Sequence, residues 1–577
     1  METQLLCRDK WPGECRILFP GFENGLFLSR RVLERVTVNQ RDEKDVPKCS
    51  EIKKGGLNKM HAGNYMKKCN LPKLEDYVFL SDLESDEVFI IQRSGEVWKQ
   101  DGTEPWDVPG RLFKNVIFDW KNMISGECCW SWLNGWLPVL QIKNNSGQKI
   151  LLLAKNDSLW LQTAGAVISY PEGINITAEK FDAETQQLEK YWNKWLASGW
   201  MPPPVHPYID DGWKASLVQA RMAYSGKHPH YGVAFYGKFE HDGFPPTTLA
   251  MVSTLLDYDH IDYARELLSY YLERYVLPDG VPDYYGVSVA ELGGLLILSA
   301  RMLEYNDGQA WLEAHLSGLM SIFRYLLRLH NPVISRLEQG LIIGSPEADT
   351  RRDVGAFFHN NAFVWRAFEQ WSRAMVVLGR QETEMEARRH ARELKASIET
   401  ATNLYRGNDG LIPSRIDKKE NFNSFTESRE AAYANYRYYP ELLESGILSA
   451  DDAYSIIKAR EEKNGEVCGM THMGYDNKEH HFDNWPLASY ARGLIELEDK
   501  QRFMNIFISH ILHHQSRDTF TAYEQVTASG DPRRAYADWC VPCQLVLPRM
   551  LAWSFKYKKW NGSPVTWGGP EITGLEV

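Results

Sequence analysis

No block of like charge occurs in the 577-residue chain: 65 Lys and Arg are interspersed with 76 Asp and Glu, for a net charge of −11. A basic tract that would neutralise a nucleic-acid backbone is therefore missing, and a neutral or cationic ligand fits better. No apolar run reaches the roughly 18 residues of a membrane helix, and Met1 to Pro20 scatters acids and bases where a signal peptide would be apolar. A cytoplasmic protein without membrane contact is expected. The nine cysteines are odd in number and dispersed, which suits reduced thiols better than a disulfide framework. The sequon Asn175-Ile176-Thr177 then has little meaning. Trp539-Cys540-Val541-Pro542-Cys543 approaches a redox motif, but it lies at the end of a helical region and not at the start of a small βαβ unit. Cys128-Cys129 lacks the spacing of a zinc knuckle. No metal or organic cofactor is called for.

Aromatic residues are plentiful, with 20 Trp and 28 Tyr, and their faces suit stacking against sugar rings or bases as well as core packing. Before residue 185, Glu87 to Gln92, Arg111 to Phe118, Leu137 to Lys143 and Lys149 to Ala154 are short, apolar and bounded by turn residues such as Asn145-Ser146-Gly147. They predict an N-terminal β-sandwich over 1–182. A polar amphipathic stretch and Met201-Pro202-Pro203-Pro204 form a linker helix and boundary over 183–204.

From 205 to 577 about twelve helical periods follow, from Trp213 to Ser225 through Arg429 to Ser445 and Pro486 to Leu497 to the last at Trp539 to Trp553. The loops before the odd-numbered helices are expected to be the long ones. The fold expected is mainly α with an N-terminal β domain: an (α/α)6 toroid of six helical hairpins, its long loops gathered around a funnel.

One loop carries the strongest chemical signal. Leu341-Ile342-Ile343-Gly344-Ser345-Pro346-Glu347-Ala348-Asp349 sets two acids in a Gly/Pro-punctuated segment ahead of His359-Asn360-Asn361-Ala362, where a helix begins. A carboxylate on a loop held by rigid helices can be desolvated and aimed. Later, Tyr523-Glu524-Gln525 precedes the last helix, Glu240-His241-Asp242-Gly243-Phe244 precedes the second, and His480-His481-Phe482-Asp483-Asn484-Trp485 precedes the tenth.

These features resemble the six-hairpin sugar enzymes, the group of glucoamylases, trehalases and maltose and kojibiose phosphorylases. The phosphorylases carry their acid in an Ile-Gly-Pro-Asp-Glu loop followed by Asn-Asn-Ala, and Ile343 to Glu347 with Asn360-Asn361-Ala362 is similar, with a longer spacing and an altered order. A Ser-Pro-Glu loop also resembles the acid loop of a fucosidase group. The resemblance implies Glu347 as general acid and Glu524 as the base that activates water, the pair an inverting glycoside hydrolase needs about 6.5 to 9.5 Å apart. It further implies a sugar-gripping role for Asp242.

Phe244, Asp349, Asn360, Asn361, His481, Asp483, Trp485 and Tyr523 are the other expected substrate contacts, although Asp483 could equally cap a helix. Glu347 should hold its proton because of the apolar Leu341-Ile342-Ile343 and like-charge repulsion from Asp349. Asp283, Tyr284 and Glu291 could line the rim, and Arg351 and Arg352 suit either an anionic substituent or surface ion pairs. The alternatives are a phosphorylase, in which phosphate replaces Glu524, a uronate lyase or epimerase using His359, His480, His481 or Tyr523, and a non-catalytic carbohydrate-binding protein. A carbohydrate is the expected ligand; the oligomeric state is left open.

Overall fold

The computed structural model describes ten short strands within residues 15–176, and then residues 190–556 apart from 225–226, 230, 232–242, 285–287, 332–339, 349–353, 417–419, 468, 476–480, 516–519, 521, 523 and 528–539. In the N-terminal part, β1 (Cys15–Arg16) pairs with β2 (Phe27–Leu28), and β9 (Ile168–Ser169) with β10 (Asn175–Ile176). Between them lie two antiparallel three-stranded sheets joined hairpin by hairpin. One is β3 (Tyr77–Asp82), β4 (Glu87–Gln92) and β5 (Val97–Gln100), and the other β6 (Val116–Trp120), β7 (Ile124–Trp132) and β8 (Trp136–Asn144). The expected strands at Glu87 to Gln92 and Leu137 to Lys143 are present. Lys149 to Ala154 and the Asn145-Ser146-Gly147 turn lie outside the described residues, as do the side chains that a sandwich would bury.

A short helix at 190–197 falls inside the expected linker, with Trp192 and Leu196 buried and Trp195 stacked on His260 at 4.4 Å. Among the described residues twelve longer helices follow: α1 (Pro207–Ala223), α2 (Pro245–Asp257), α3 (Ile261–Tyr275), α4 (Val289–Arg301), α5 (Gly308–Leu329), α6 (Phe358–Val377) and α7 (Gln381–Tyr405), then α8, α9 (Ala450–Glu462), α10 (Leu487–Glu496), α11 (Lys500–Ser509) and α12. Helix α8 is composite, Arg429–Tyr433, a π-turn Ala434–Tyr438 and Tyr439–Ser445, and α12 joins Val541–Gln544 to Val546–Lys556.

Helices α2, α4, α6, α8, α10 and α12 each pack on the next, and α12 packs back on α2, closing an inner ring. Outside it, α1 packs on α12, α3 on α2, α5 on α4, α7 on α6 and α11 on α10, while Arg460 ties α9 to Asn435 of α8. The arrangement is a double ring of six hairpins. Sequence explains the two rings. Helix α4 is apolar on nearly every side and almost wholly buried, as an element enclosed by neighbours must be. Helix α7 buries one stripe, Glu384, Ala387, Ala391, Leu394, Ile398, Ala401 and Thr402, at the spacing of a helix with one wet face.

The long connections, 224–244, 276–288, 330–357, 406–428, 463–486 and 510–540, all precede the even-numbered inner helices; 258–260, 378–380, 446–449 and 497–499 precede outer ones. The expectation that long loops precede the odd-numbered helices is thus reversed. Each hairpin runs outer helix first, so the long loops gather at the N-terminal ends of the inner ring.

Inner helices approach closely where a side chain is missing. A Cβ on Gly493 of α10 would stand 2.6 Å from Cβ of Leu443 in α8, and one on Gly293 of α4 would stand 3.0 Å from the Phe363 carbonyl in α6. Helix propensity alone would favour Gly493→Ala by about 1 kcal/mol, but overpacking costs about 1–3 kcal/mol. Gly493→Ala is therefore expected to be destabilising in denaturant titration. A more stable variant would show that the ring gives way at this crossing.

Candidate active site

The π-turn of α8 sits at the loop-bearing end of the inner ring. Its cause is local: Pro440 has no N–H for the carbonyl of Tyr436, so the α-helical bond pattern fails there and the chain widens by one residue. Four consecutive side chains then diverge. Asn435 donates to the carbonyls of Gly465 (2.7 Å) and His472 (2.9 Å). Tyr436 stands beside Trp485, ring centroids 6.2 Å apart, both partly exposed. Arg437 turns into the ring, and Tyr438 stacks on His359 at 4.8 Å.

Arg437 is buried and donates to three carboxylates, each at 2.7 Å: Nη1 to Glu347 Oε2, Nη2 to Glu291 Oε1 and Nε to Glu441 Oε1. Its guanidinium also lies over the Trp485 ring at 4.7 Å. Glu291 projects from the first turn of α4, Glu347 from the predicted acid loop and Glu441 from α8 itself. Burial raises the carboxyls of Glu291 and Glu441 against the pull of Arg437, Glu441 to about 8. This corrects the expected surroundings of Glu347: its carboxylate is paired with a guanidinium, whereas Asp349 lies outside the described residues.

The acid loop is held by the two asparagines that follow it. Asn361 accepts from Ile342 N at 2.8 Å and donates to the carbonyls of Ile342 (3.1 Å) and Phe357 (2.8 Å). Asn360 donates to Ser345 O at 2.9 Å, and His359 Nε2 donates to Pro346 O at 3.0 Å. All three are fully buried. The amide nitrogens of Asn360 and Asn361, both expected to contact substrate, thus bond to the backbone of the connection that carries Glu347.

Glu524 is brought to the same end by a small antiparallel sheet of β11 (Glu466–Val467), β12 (Met470–Met473), β13 (His481–Asp483) and β14 (Gln525–Thr527). Its register sets Asp483 opposite Gln525, and Asn484 N donates to Glu524 O at 2.7 Å. Tyr231 Oη donates to Glu524 Oε2 at 3.1 Å. Below the loop, Gln544 accepts from Ala522 N at 2.8 Å and donates to Phe520 O at 2.6 Å.

Two observations join the halves. Tyr231, Phe244, Ala348, Cys540 and Cys543 form one buried cluster, with Tyr284 and Trp485 packed against it. The Tyr436 hydroxyl is held well above its usual pKa by burial and then by the carboxylates of Asp483, Glu524 and Glu347. Under them, a cavity of about 490 Å³ runs down the axis of the inner ring, with Glu291, Arg437, Glu441 and Trp485 among its lining residues.

Glu347, Glu524, Asp483 and Trp485 are therefore gathered at one end. Phe244 is buried edge-on to Tyr231 at 5.3 Å. His481 is buried 3.8 Å from Asp483, whose Oδ1 accepts from Trp485 N at 2.9 Å, a local turn like the capping role considered for it. Asp242 and Tyr523 lie outside the described residues, with Arg351, Arg352 and His480. Sequence reasoning missed Tyr231, Tyr436, Arg437 and Glu441. Pro440 inside a helical period was the available signal for the last three. The Cys543 thiol is raised by burial, Cys540 and nearby carboxylates, the opposite of a redox-active thiol.

Among the described residues no helix is long and apolar enough to cross a membrane. No protein-family profile and no curated protein matches the chain. Similar solved structures include a bacterial glucoamylase complexed with acarbose, at 9% identity and TM-score 0.48 over 82% of this chain and 84% of that one. A Streptococcus pneumoniae metal-independent alpha mannosidase with alpha-1,6-mannobiose matches at 10% identity and TM-score 0.43 over 63% and 97%. A D-mannose isomerase matches at 10% and 0.40 over 60% and 99%. With each of these TM-scores below 0.5, the double ring stands on the packing of this chain's own helices.

The protonated Glu441 makes stability pH-dependent. With a folded pKa of about 8 against an ordinary 4.5, the native state keeps a proton that the unfolded chain releases. This contribution is complete below the unfolded value and is lost as pH rises towards about 8. Glu441→Gln stays neutral throughout, so its melting temperature relative to the parent should climb between pH 5 and pH 8. A difference that stays constant over that window would show that Glu441 is ionised in the fold.

Proposed function

We propose that this protein is a glycoside hydrolase that works with inversion, Glu524 activating water and the loop of Glu347 protonating the departing oxygen. The carrying observation is that Glu347, Glu524 and Asp483, from three separate connections, all lie near enough to the Tyr436 hydroxyl to raise its pKa, after burial itself. Acids from different loops facing one space suit a reaction that needs an acid on one side of a sugar and a base on the other. Trp485 and Tyr436, partly exposed beside them, supply aromatic faces for the ring. Tyr231 holds Glu524 through its hydroxyl.

The ion pair between Glu347 and Arg437 favours a second assignment within the same reaction. A guanidinium at 2.7 Å stabilises the ionised form, which suits a carboxylate that grips sugar hydroxyls. The proton would then come from Asp349, two residues along the same loop.

Leaving-group dependence separates the two. If Glu347 is the acid, Glu347→Gln should lower kcat by about 10²–10⁴ on an alkyl glycoside or disaccharide and far less on a dinitrophenyl glycoside, whose leaving group needs no proton. If it is a sugar anchor, both substrates should suffer alike and KM should rise, while Asp349→Asn shows the leaving-group pattern. Glu524→Gln should abolish turnover of both. Release of a sugar phosphate only when phosphate is present would replace hydrolysis with phosphorolysis, and no release from any α- or β-linked substrate would sink the proposal.

A further inference from the structure

We infer that His330, His390 and Glu393 form a binding site for a divalent metal ion of the zinc class, on the outer ring between the end of α5 and one face of α7. One ligand atom from each residue lies within 4.8 Å of the others. His330 is the buried residue that ends α5. His390 and Glu393 are three apart on α7 and so share a face.

The two Nδ1 atoms face each other at 2.8 Å. That contact requires one of them to be an unprotonated acceptor, the form that ligates a metal. Zinc bound to both at the usual 2.0–2.1 Å would hold them about 3.3 Å apart, a shift of half an ångström. The backbone of Gly340 hydrogen-bonds His330. With Nδ1 turned to His390, that bond falls to Nε2, and a ligating histidine commonly gives its other N–H to such a group.

Arg389 opposes the site. Its Nη2 lies 3.1 Å from His390 Nε2, which must carry the proton once Nδ1 binds metal. Its Nη1 lies 3.7 Å from Glu393, but its side chain is 54% exposed and free to swing into solvent. Two imidazoles and one carboxylate, with water completing the shell, select zinc over magnesium or calcium, which prefer oxygen alone. His330 begins the 330–357 connection that carries Glu347, so a bound ion would fasten the outer root of that loop.

The test is titration of the full chain, stripped with EDTA and dialysed, by calorimetry with zinc chloride and in parallel with magnesium chloride. One zinc equivalent of micromolar affinity is expected, weakened at least about 10-fold in His390→Gln and in Glu393→Gln, with no response to magnesium. Circular dichroism checks that both variants fold, and Glu393, exposed on α7, provides the safer substitution. Equal zinc stoichiometry and affinity in the parent and in folded Glu393→Gln and His390→Gln, or no zinc uptake by the parent at 100 µM, overturns the inference.

Discussion

The geometry of the loop-bearing end depends on one guanidinium. Arg437 presents Nε, Nη1 and Nη2 in a fixed plane, and each is matched by a carboxylate from a different direction: the start of α4, the acid loop ahead of α6, and the next turn of α8. A lysine has no such fork. The tryptophan stacked on its face belongs to the connection leading into α10. Four successive parts of the inner ring therefore take their relative positions from one side chain. Because all members are buried, losing the cation would leave uncompensated carboxylates, at a cost of about 3–5 kcal/mol. That sensitivity makes the cluster a constraint on geometry more than a source of net stability.

The π-turn is what makes this arrangement possible. In a regular helix, Asn435, Tyr436, Arg437 and Tyr438 would sweep around the axis at even intervals; the widened turn instead lets each engage a different neighbour. Asn435 is fixed by Arg460, whose Nη1 donates to its Oδ1 at 2.8 Å and whose Nη2 donates to Thr471 at 3.0 Å. Through β12 and β13 that anchor reaches Asp483, and through β14 it reaches Glu524. The acid loop is fixed from the other side by His359, Asn360 and Asn361. The described parts of these two connections are held to the frame because buried amides satisfy their backbone groups.

Much of the ring was legible in the sequence, because a helix buried on one or several sides writes a 3.6-residue period that needs no knowledge of its neighbours. The two acid loops were legible as well, since Gly, Pro and adjacent carboxylates mark them. Arg437 was not: it lies 90 residues from Glu347 and 146 from Glu291, and within its own helix it reads as one more charge. In the sequence Asn360 and Asn361 read as sugar ligands because polar residues beside an acid invite that role, and in the fold their amide nitrogens bond to backbone carbonyls. What decides between the two uses of an amide is whether nearby backbone groups lack partners, and that is a property of the folded loop. The order of long and short loops is offset by one helix from the sequence expectation, because periodicity marks where a helix lies and not which ring it joins.

Charge balance in the cluster constrains any chemistry done there. One guanidinium faces three carboxylates, and full ionisation would leave two excess negative charges with little solvent to screen them. A proton must reside among them near neutrality, and it settles where burial outweighs the cation's pull, which is Glu441. Glu347 shares Arg437 with that protonated neighbour, its Oε2 held at 2.7 Å by Nη1. A ligand that drew Arg437 or neutralised Glu291 would shift the proton among the three. Glu347, Glu291 and Glu441 are thus tied to one guanidinium, and the geometry of each depends on the other two.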